Sequence, residues 1–196
     1  MQFAMLGDLH SSINDTQSVL NHIKEIAPSS EIIGLGDLYE CVISKTRITE
    51  RFNSINDVMA RPNGFEELLT FPSVRGNQEE RIEIIMSGKD PLLEQIVQYP
   101  EVIEIPGAKV IHGHQWEWSG NPWLPFIPFE HNELVFFGHS HRSAYYMDGD
   151  WKVPQFGITY EFKGKKAGIN VGSVIDNREW VLFDSDTQSV TFQKAK

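Results

Sequence analysis

Five of the seven histidines fall in three short motifs that follow apolar runs of the chain. The motifs are Asp8-Leu9-His10, His112-Gly113-His114 and Gly138-His139-Ser140-His141. Residues i and i+2 of an extended segment project to the same side, so Asp8 and His10 can reach one cavity, and so can His139 and His141. Imidazole and carboxylate groups in one cavity are typical ligands of divalent transition metals. These motifs therefore predict a metal site.

Two further oxygen donors each follow a glycine, the carboxylate of Asp37 and the amide of Asn77. They complete a set of seven candidate metal ligands: Asp8, His10, Asp37, Asn77, His112, His139 and His141. Seven donors are too many for one ion, whereas two divalent ions that share one carboxylate would use them well. Mixed imidazole and carboxylate ligation suits manganese, iron, zinc or cobalt better than calcium or magnesium, and we expect manganese first.

The apolar runs that precede these donors indicate buried strands, because they lack polar alternation. The clearest runs cover residues 3–6, 32–35 and 134–137, with weaker variants at 109–111 and 73–75. Between them the pattern predicts helices from about Asn14 to Ala27, from Glu79 to Met86, and from Asp90-Pro91 onward. Alternating strands and helices predict a layered α/β fold, in which residues past the carboxyl ends of the strands gather at one edge. We therefore expect the candidate ligands to converge.

After Arg142 the sequence pattern changes to short segments of alternating apolar and polar residues, separated by Gly, Asp and Asn. This pattern is typical of antiparallel strands. Residues 40–71 are less regular, and we predict one or two helices around 48–59 and 65–69. The chain has 196 residues and contains no repeat or linker, so we expect residues 1–196 to form a single domain.

Charge and hydropathy exclude several classes of function. Seventeen basic and 27 acidic residues leave a net charge of −10, which disfavours binding to long nucleic acid and to anionic membranes. No apolar run is long enough to span a bilayer, so we expect no membrane partner and a cytoplasmic protein. A phosphorylated substrate is still compatible with this charge, because bound cations invert the local field of a cleft.

The ordered motifs resemble the calcineurin-like metallophosphoesterase family, whose pattern is D-x-H, G-D, G-N-H-D/E, H and G-H-x-H. Here the pattern reads Gly7-Asp8-Leu9-His10, Gly36-Asp37, Gly76-Asn77-Gln78-Glu79, His112-Gly113 and Gly138-His139-Ser140-His141. The late segment Asn170-Val171-Gly172-Ser173-Val174 is similar to one in the small bacterial and archaeal phosphodiesterase branch. The resemblance implies an α/β sandwich of two mixed β-sheets flanked by helices.

The resemblance also implies a ligand assignment and a mechanism. Asp8, His10, Asp37 and His141 would hold the first ion, and Asp37, Asn77, His112 and His139 the second, with Asp37 as the bridge. A metal-bridging hydroxide would attack phosphorus, most readily in a phosphodiester, and the substrate would be a phosphorylated small molecule or a nucleotide-like compound. A phosphomonoesterase or nucleotide phosphatase, and a noncatalytic metal-binding scaffold, are the alternatives.

The chain departs from the family pattern at Gln78, where many members carry a histidine. A neutral amide can donate a hydrogen bond but cannot deliver a proton, so efficient hydrolysis of alkyl monoesters is in doubt. His114 is a candidate substitute, as an acid or a phosphate ligand; the alternative is that it orients a metal ligand. Asn77, Gln78 and His114 are accordingly the candidate catalytic residues.

Aromatic and proline residues crowd the segment 116–129. This segment could stack a nucleobase or an aryl leaving group, cover the core, or form a contact between copies of the chain in a homo-oligomer. Arg142, next to a candidate ligand, is suited equally to a phosphate contact and to a salt bridge. His131 lies outside the motifs, and we expect it to be structural.

Overall fold

The structure, a computed structural model, describes residues 1–121, 123–129 and 133–196. Its helices are α1 (Ile13–Ile26), α2 (Asn77–Ile85) and α3 (Pro91–Ile96). Its strands are β1 (Gln2–Leu6), β2 (Glu31–Gly34), β3 (Val102–Ile105), β4 (Ala108–Ile111), β5 (Trp118–Ser119), β6 (Leu124–Pro125), β7 (Leu134–Phe137), β8 (Ser143–Met147), β9 (Asp150–Lys152), β10 (Thr159–Glu161), β11 (Ala167–Val171), β12 (Glu179–Asp184) and β13 (Ser189–Lys194). Pro122 and residues 130–132 lie outside the described residues, and so does the structural role expected of His131.

Two mixed sheets form the body of the fold. The first has the order β10-β13-β12-β1-β2, and the second has the order β3-β4-β7-β11-β8-β9. Strands β1 and β2 are parallel, as are β4 and β7, while the strands near the carboxyl terminus pair mostly antiparallel. The predicted α/β sandwich of two mixed sheets is therefore confirmed.

Strand β1 explains how the layers pack, because its side chains alternate between two cores. Phe3 and Met5 face the core between the sheets, with residues of β4, β7, β11 and β12. Ala4 and Leu6 face the second core, which also receives side chains from α1, α2 and α3. Since both faces of β1 are buried, its sequence is a continuous apolar run rather than an alternating one.

The parallel strands bring the sequence motifs to one edge. Asp8 lies two residues after β1, Asp37 lies three residues after β2, and His112 directly follows β4. His139 lies two residues after β7, and Asn77 is the first residue of α2. The expected convergence at the carboxyl ends of the strands is therefore observed.

The region from residue 41 to 69 differs from the prediction. Instead of helices at 48–59 and 65–69 it contains single 3₁₀ turns, at Lys45–Arg47, Ile55–Asp57 and Glu66–Leu68. Its backbone groups bond across the loop, because Val42 N–H donates to the carbonyl of Val58 and Ala60 N–H donates to that of Glu40. Those bonds compete with the intrahelical ladder that the local pattern would otherwise favour.

Smaller differences occur elsewhere. Helix α1 begins at Ile13, one residue before the predicted start, with Ser12 at its N-cap position, and the run at 73–75 contributes only an isolated bridge from Ser73 to Gly34. The predicted start of α3 is confirmed, since the Asp90 side chain accepts a hydrogen bond of 2.8 Å from Leu92 N–H. Among the described residues, no helix is both long enough and apolar enough to cross a membrane.

Candidate metal centre

Five of the seven candidate ligands sit in backbone conformations that side-chain-bearing residues seldom adopt. Asp8, His10, Asp37, His139 and His141 have φ angles of 53°, 47°, 50°, 69° and 58°. Each non-glycine residue in such a region costs free energy, and such strain clusters at functional sites. The turns after β1, β2 and β7 therefore adopt conformations that direct the candidate ligands out of the strand direction.

The first group of donors comprises Asp8, His10 and His141, whose ligand atoms all lie within 4.8 Å of one another. Oδ1 of Asp8 lies 3.5 Å from Nε2 of His141 and 4.0 Å from Nε2 of His10. The two imidazole Nε2 atoms are 3.2 Å apart. Three donors converging in this way can share one cation.

The second group comprises Asp8, Asp37 and His112, again within 4.8 Å of one another. Oδ2 of Asp37 lies 3.5 Å from Nε2 of His112 and 3.7 Å from Nε2 of His10, so it stands between the two groups. Nε2 of His112 is also 3.1 Å from Oδ1 of Asn77. Asp8 thus belongs to both groups of donors, and Asp37 lies between the imidazoles of His10 and His112.

His139 is close to this centre but belongs to neither group of three. Its ring centre is 5.2 Å from that of His112, and it packs against Trp118 and Trp123 at 5.4 and 5.2 Å. Its main-chain amide donates a hydrogen bond of 3.0 Å to Oδ2 of Asp8. All seven predicted ligands therefore lie around one centre, where the His139 ring packs against the rings of Trp118 and Trp123.

Partners outside the ligand set orient the imidazoles of His10 and His112. Nδ1 of His10 is 2.5 Å from Oε2 of Glu40, and Nδ1 of His112 is 2.7 Å from the carbonyl of Leu35. An acceptor at Nδ1 holds the proton on that nitrogen and leaves Nε2 free to bind a metal. Sequence reasoning missed Glu40, since no local pattern links it to a histidine 30 residues earlier.

Glu79 joins the loop after β2 to the start of α2. Its fully buried carboxylate accepts hydrogen bonds from the amides of Asp37 and Gly76, both at 2.9 Å, and of Tyr39 at 3.0 Å. Asn170 has a similar role, because its amide donates to the Gly138 carbonyl at 2.8 Å. The motifs contained both residues, but only their contacts reveal that they hold the ligand loops in place.

Two glycines stand beside ligands because a side chain would not fit. A Cβ atom on Gly76 would lie 2.2 Å from both the amide nitrogen and Oδ1 of Asp37. A Cβ atom on Gly138 would lie 2.5 Å from Oδ2 of Asp8. The glycines of these motifs therefore permit close packing against the two aspartates.

Burial and mutual charge shift the titration of the centre. Burial raises the pKa of Asp8 to about 7. Burial would also raise the pKa of Asp37, but the charge and hydrogen bond of His112 hold it below its usual range. Burial would lower the pKa of His112, yet Asp37 outweighs this and raises it to about 10. Burial and the charge of His112 lower the pKa of His139 to about 4.

The donors fit divalent metal ions. Oδ1 of Asp8 is buried and accepts no hydrogen bond from any described residue. An unsatisfied buried carboxylate oxygen is costly unless a cation or a donor faces it. The surrounding donors are imidazole nitrogens and carboxylate oxygens, which suit manganese, iron, zinc or cobalt. We conclude that the chain has candidate ligands for divalent metal ions.

Gln78 and His114, the other predicted catalytic residues, occupy different positions. The carbonyl oxygen of the Gln78 side chain accepts hydrogen bonds from Cys41 N–H at 3.2 Å and from Arg81 at 2.7 Å. This oxygen therefore ties α2 to the loop after β2, and a catalytic role for Gln78 stays a prediction. The ring centre of His114 is 5.3 Å from that of His112 and 6.3 Å from that of His139, so His114 borders the centre.

The described residues of the aromatic segment 116–129 cover part of the second sheet and the edge of the centre. Trp116 packs on Phe137 at 4.9 Å, and Gly168 of β11 approaches Ile127 so closely that a Cβ there would be 2.3 Å away. Trp123 remains 42% exposed, and Phe126 is 75% exposed. Covering the sheet is thus one observed function of the segment, whereas a contact between copies of the chain stays a prediction.

Comparison with known proteins agrees with this geometry. A model of the calcineurin-like phosphoesterase superfamily domain matches residues 1–182. A protein of Methanocaldococcus jannaschii, named only as uncharacterized, is 27% identical over 205 residues, which cover 92% of this chain and 82% of the relative. A solved metallophosphoesterase of Sphaerobacter thermophilus has a TM-score of 0.71 at 20% identity, over 100% of this chain and 89% of that one. The last similarity shows a shared fold.

Proposed function

Because this chain belongs to the calcineurin-like phosphoesterase superfamily, we propose that it is a metal-dependent phosphodiesterase whose centre is built on Asp8 and Asp37. The observation that carries the proposal is the position of Asp37 Oδ2, which is 3.7 Å from His10 Nε2 and 3.5 Å from His112 Nε2. One carboxylate oxygen between imidazoles of the two groups is placed where a pair of cations would share it. The substrate is a phosphorylated small molecule.

Asp8, His10, Asp37 and His141 would hold one cation, and Asp37, Asn77, His112 and His139 the other. Bound divalent cations would lower the pKa of a coordinated water and offset negative charge on the phosphoryl oxygens. Among such cations we expect Mn²⁺. Glu40 and the Leu35 carbonyl keep the Nε2 atoms of His10 and His112 directed at the centre. Gln78 N–H donates to Asp37 Oδ1 at 2.8 Å, which leaves Oδ2 of Asp37 directed at the imidazoles.

A diester preference follows from the residues that could donate a proton to a leaving group. Gln78 has no acidic proton at physiological pH. Burial and the charge of His112 lower the pKa of His114, so this imidazole is neutral near pH 7 and is a poor proton donor. Alkyl monoesters, which have poor leaving groups, should therefore react slowly.

The test is hydrolysis of bis(4-nitrophenyl) phosphate and 4-nitrophenyl phosphate by metal-free protein reconstituted with Mn²⁺, Zn²⁺, Fe²⁺ or Mg²⁺. Asp37→Asn should lower metal-dependent turnover of the diester at least about a hundredfold, because a carboxylate shared by two cations is lost. Asp57→Asn, at an exposed carboxylate in a 3₁₀ turn, is the matched control. Equal turnover by Asp37→Asn and the wild type would contradict the proposal.

One observation favours phosphomonoester hydrolysis as a second candidate function. Nδ1 of His114 is buried and has no hydrogen-bond partner among the described residues, so it could accept or donate a bond to a bound phosphate. If so, His114→Gln should lower turnover of 4-nitrophenyl phosphate more than turnover of the diester. An equal effect on both substrates would leave the phosphodiesterase proposal as the better account.

A further inference from the structure

A cavity of about 390 Å³ lies directly beside the candidate ligand His141. Arg142, Trp151, Phe156 and Asn177 contribute to its walls. This volume is within the range of small-molecule sites, about 300–1,000 Å³. Because His141 also belongs to the first group of metal-binding donors, a ligand in this cavity would adjoin the metal centre.

Two aromatic side chains make the cavity suitable for a planar group. Trp151 lies in β9, and Phe156 is 40% exposed. Lys194 Nζ lies 5.7 Å from the centre of the Phe156 ring, so cationic and aromatic groups already meet there. Aromatic faces of this kind bind purine or pyrimidine rings by stacking, with little dependence on the identity of the base.

Arg142 gives the cavity an available positive charge. In the described part of the chain, its guanidinium makes no hydrogen bond and no ion pair, whereas Arg47, Arg75 and Arg178 each bind a carboxylate. An unpaired guanidinium next to His141 is suited to an anionic group of a ligand, since it offers several donors in one plane. The alternative expected from the sequence, a salt bridge, is not what the described residues form.

Asn177 adds a hydrogen-bonding group to the wall. Its Nδ2 donates to Ser173 Oγ at 3.0 Å, which leaves its carbonyl oxygen as an acceptor. The neighbours Asp176 and Arg178 have φ angles of 66° and 55°, so a tight turn presents this side chain. The exocyclic amino group of a nucleobase is the type of donor that such a carbonyl recognises.

We propose that this cavity binds the nucleobase of a nucleotide-type substrate whose phosphate lies at the metal centre. Trp151 and Phe156 stack on the base, Asn177 accepts from its amino group, and Arg142 contacts the phosphate side. Only the position of the phosphate at the metal centre rests on the proposed function; the position of the base rests on the cavity itself. The competing location is the exposed Trp123, whose ring is 5.2 Å from that of His139 at the other end of the centre.

The test is binding, measured by calorimetry on Mn²⁺-loaded protein, with AMP, ribose 5-phosphate, inorganic phosphate and adenosine as probes. AMP should bind about tenfold or more tightly than ribose 5-phosphate, the gain expected from stacking one base. Trp151→Leu should abolish this preference without changing the affinity for ribose 5-phosphate. Phe156→Leu, in a loop rather than a strand, should reduce the preference even if Trp151→Leu proves unstable. Trp123→Leu is the matched control and should retain it.

Equal affinities of the wild type for AMP and ribose 5-phosphate would overturn the proposal. Loss of the preference in Trp123→Leu, with its retention in Trp151→Leu and Phe156→Leu, would also overturn it and would locate the base at the His139 end. Failure of the proposed function gives a different result, because inorganic phosphate would then not bind. Adenosine would still bind in that case, with the same dependence on Trp151, and the cavity assignment would stand.

Discussion

The main-chain amide of His139 donates a hydrogen bond of 3.0 Å to Oδ2 of Asp8, across 131 residues of sequence. This bond joins the turn after β7 to the turn after β1, and so ties the last metal motif to the first. It satisfies one oxygen of Asp8 and leaves Oδ1, which accepts no hydrogen bond from the described residues, for the metal centre. The orientation of Asp8 thus depends on the backbone of the Gly138-His139 turn.

Gly138→Ala should weaken metal binding, because the new Cβ would lie 2.5 Å from Oδ2 of Asp8 and push the carboxylate aside. We expect a loss of about tenfold to a hundredfold in affinity for Mn²⁺, the usual effect of disturbing a ligand's support. The Mn²⁺ affinity is measured by competition with a chromophoric chelator. Gly149→Ala is the control for a methyl group added to a turn glycine: no atom lies within 4 Å of its Cβ, and the strain of its φ of 79° falls on the turn between β8 and β9. Unchanged affinity in Gly138→Ala would argue against Asp8 as a ligand.

Glu40→Gln should weaken binding of one metal ion more than the other. The change replaces the carboxylate that holds Nδ1 of His10, while the groups around His112 stay intact. Stepwise Mn²⁺ affinities from calorimetry should show one constant reduced by about tenfold to a hundredfold and the other nearly unchanged. The exposed Glu67→Gln provides a charge-matched control. Equal reduction of both constants would contradict separate ion sites.

Metal binding at pH 7 should release protons. His112 is protonated in the metal-free protein because its pKa is raised to about 10, and Asp8 is partly protonated because its pKa is raised to about 7. A metal binds the deprotonated forms, so affinity should increase with pH, most steeply below about pH 7, where both groups carry protons.

Calorimetric titrations with Mn²⁺ in two buffers of different ionisation enthalpy count the protons released. His114→Gln should release the same number as the wild type, because the lowered pKa of His114 keeps it neutral at pH 7. Metal binding without proton release at pH 7 would mean that His112 is not a ligand.

Glu79→Gln should destabilise the metal-free protein by about 2 kcal/mol or more, because buried amides lose a charged acceptor. Oε2 of Glu79 accepts from Asp37 N–H and Gly76 N–H, and Oε1 accepts from Tyr39 N–H, so glutamine, which has one oxygen, leaves at least one of these amides facing its NH2 group. Urea unfolding of metal-free protein measures the loss. Glu25→Gln, on the exposed side of α1, should change stability little, and a similarly small effect at Glu79 would count against this role.

Local features of the sequence specify which donors are present and at which edge of the fold they gather. Asp8, Asp37, His112 and His139 follow apolar runs, and periodicity is a local property that indicates buried strands whatever the rest of the chain does. Parallel pairing of β1 with β2 and of β4 with β7 then brings the strand ends together. The ordered motifs were also sufficient to indicate the family, which the match over residues 1–182 confirmed.

How those donors are held depends on contacts between distant parts of the chain. The contact of His10 with Glu40 and the bonds from Glu79 to the loop after β2 join residues 30 to 42 positions apart, and no local pattern encodes them. The same holds for residues 41–69, where cross-loop backbone bonds replaced the predicted helices. The left-handed φ angles at Asp8 and Asp37 also depend on contacts with residues far away in sequence. A strained turn is stable only when distant contacts hold it, so the sequence placed the ligands at one edge and the packed chain set their geometry.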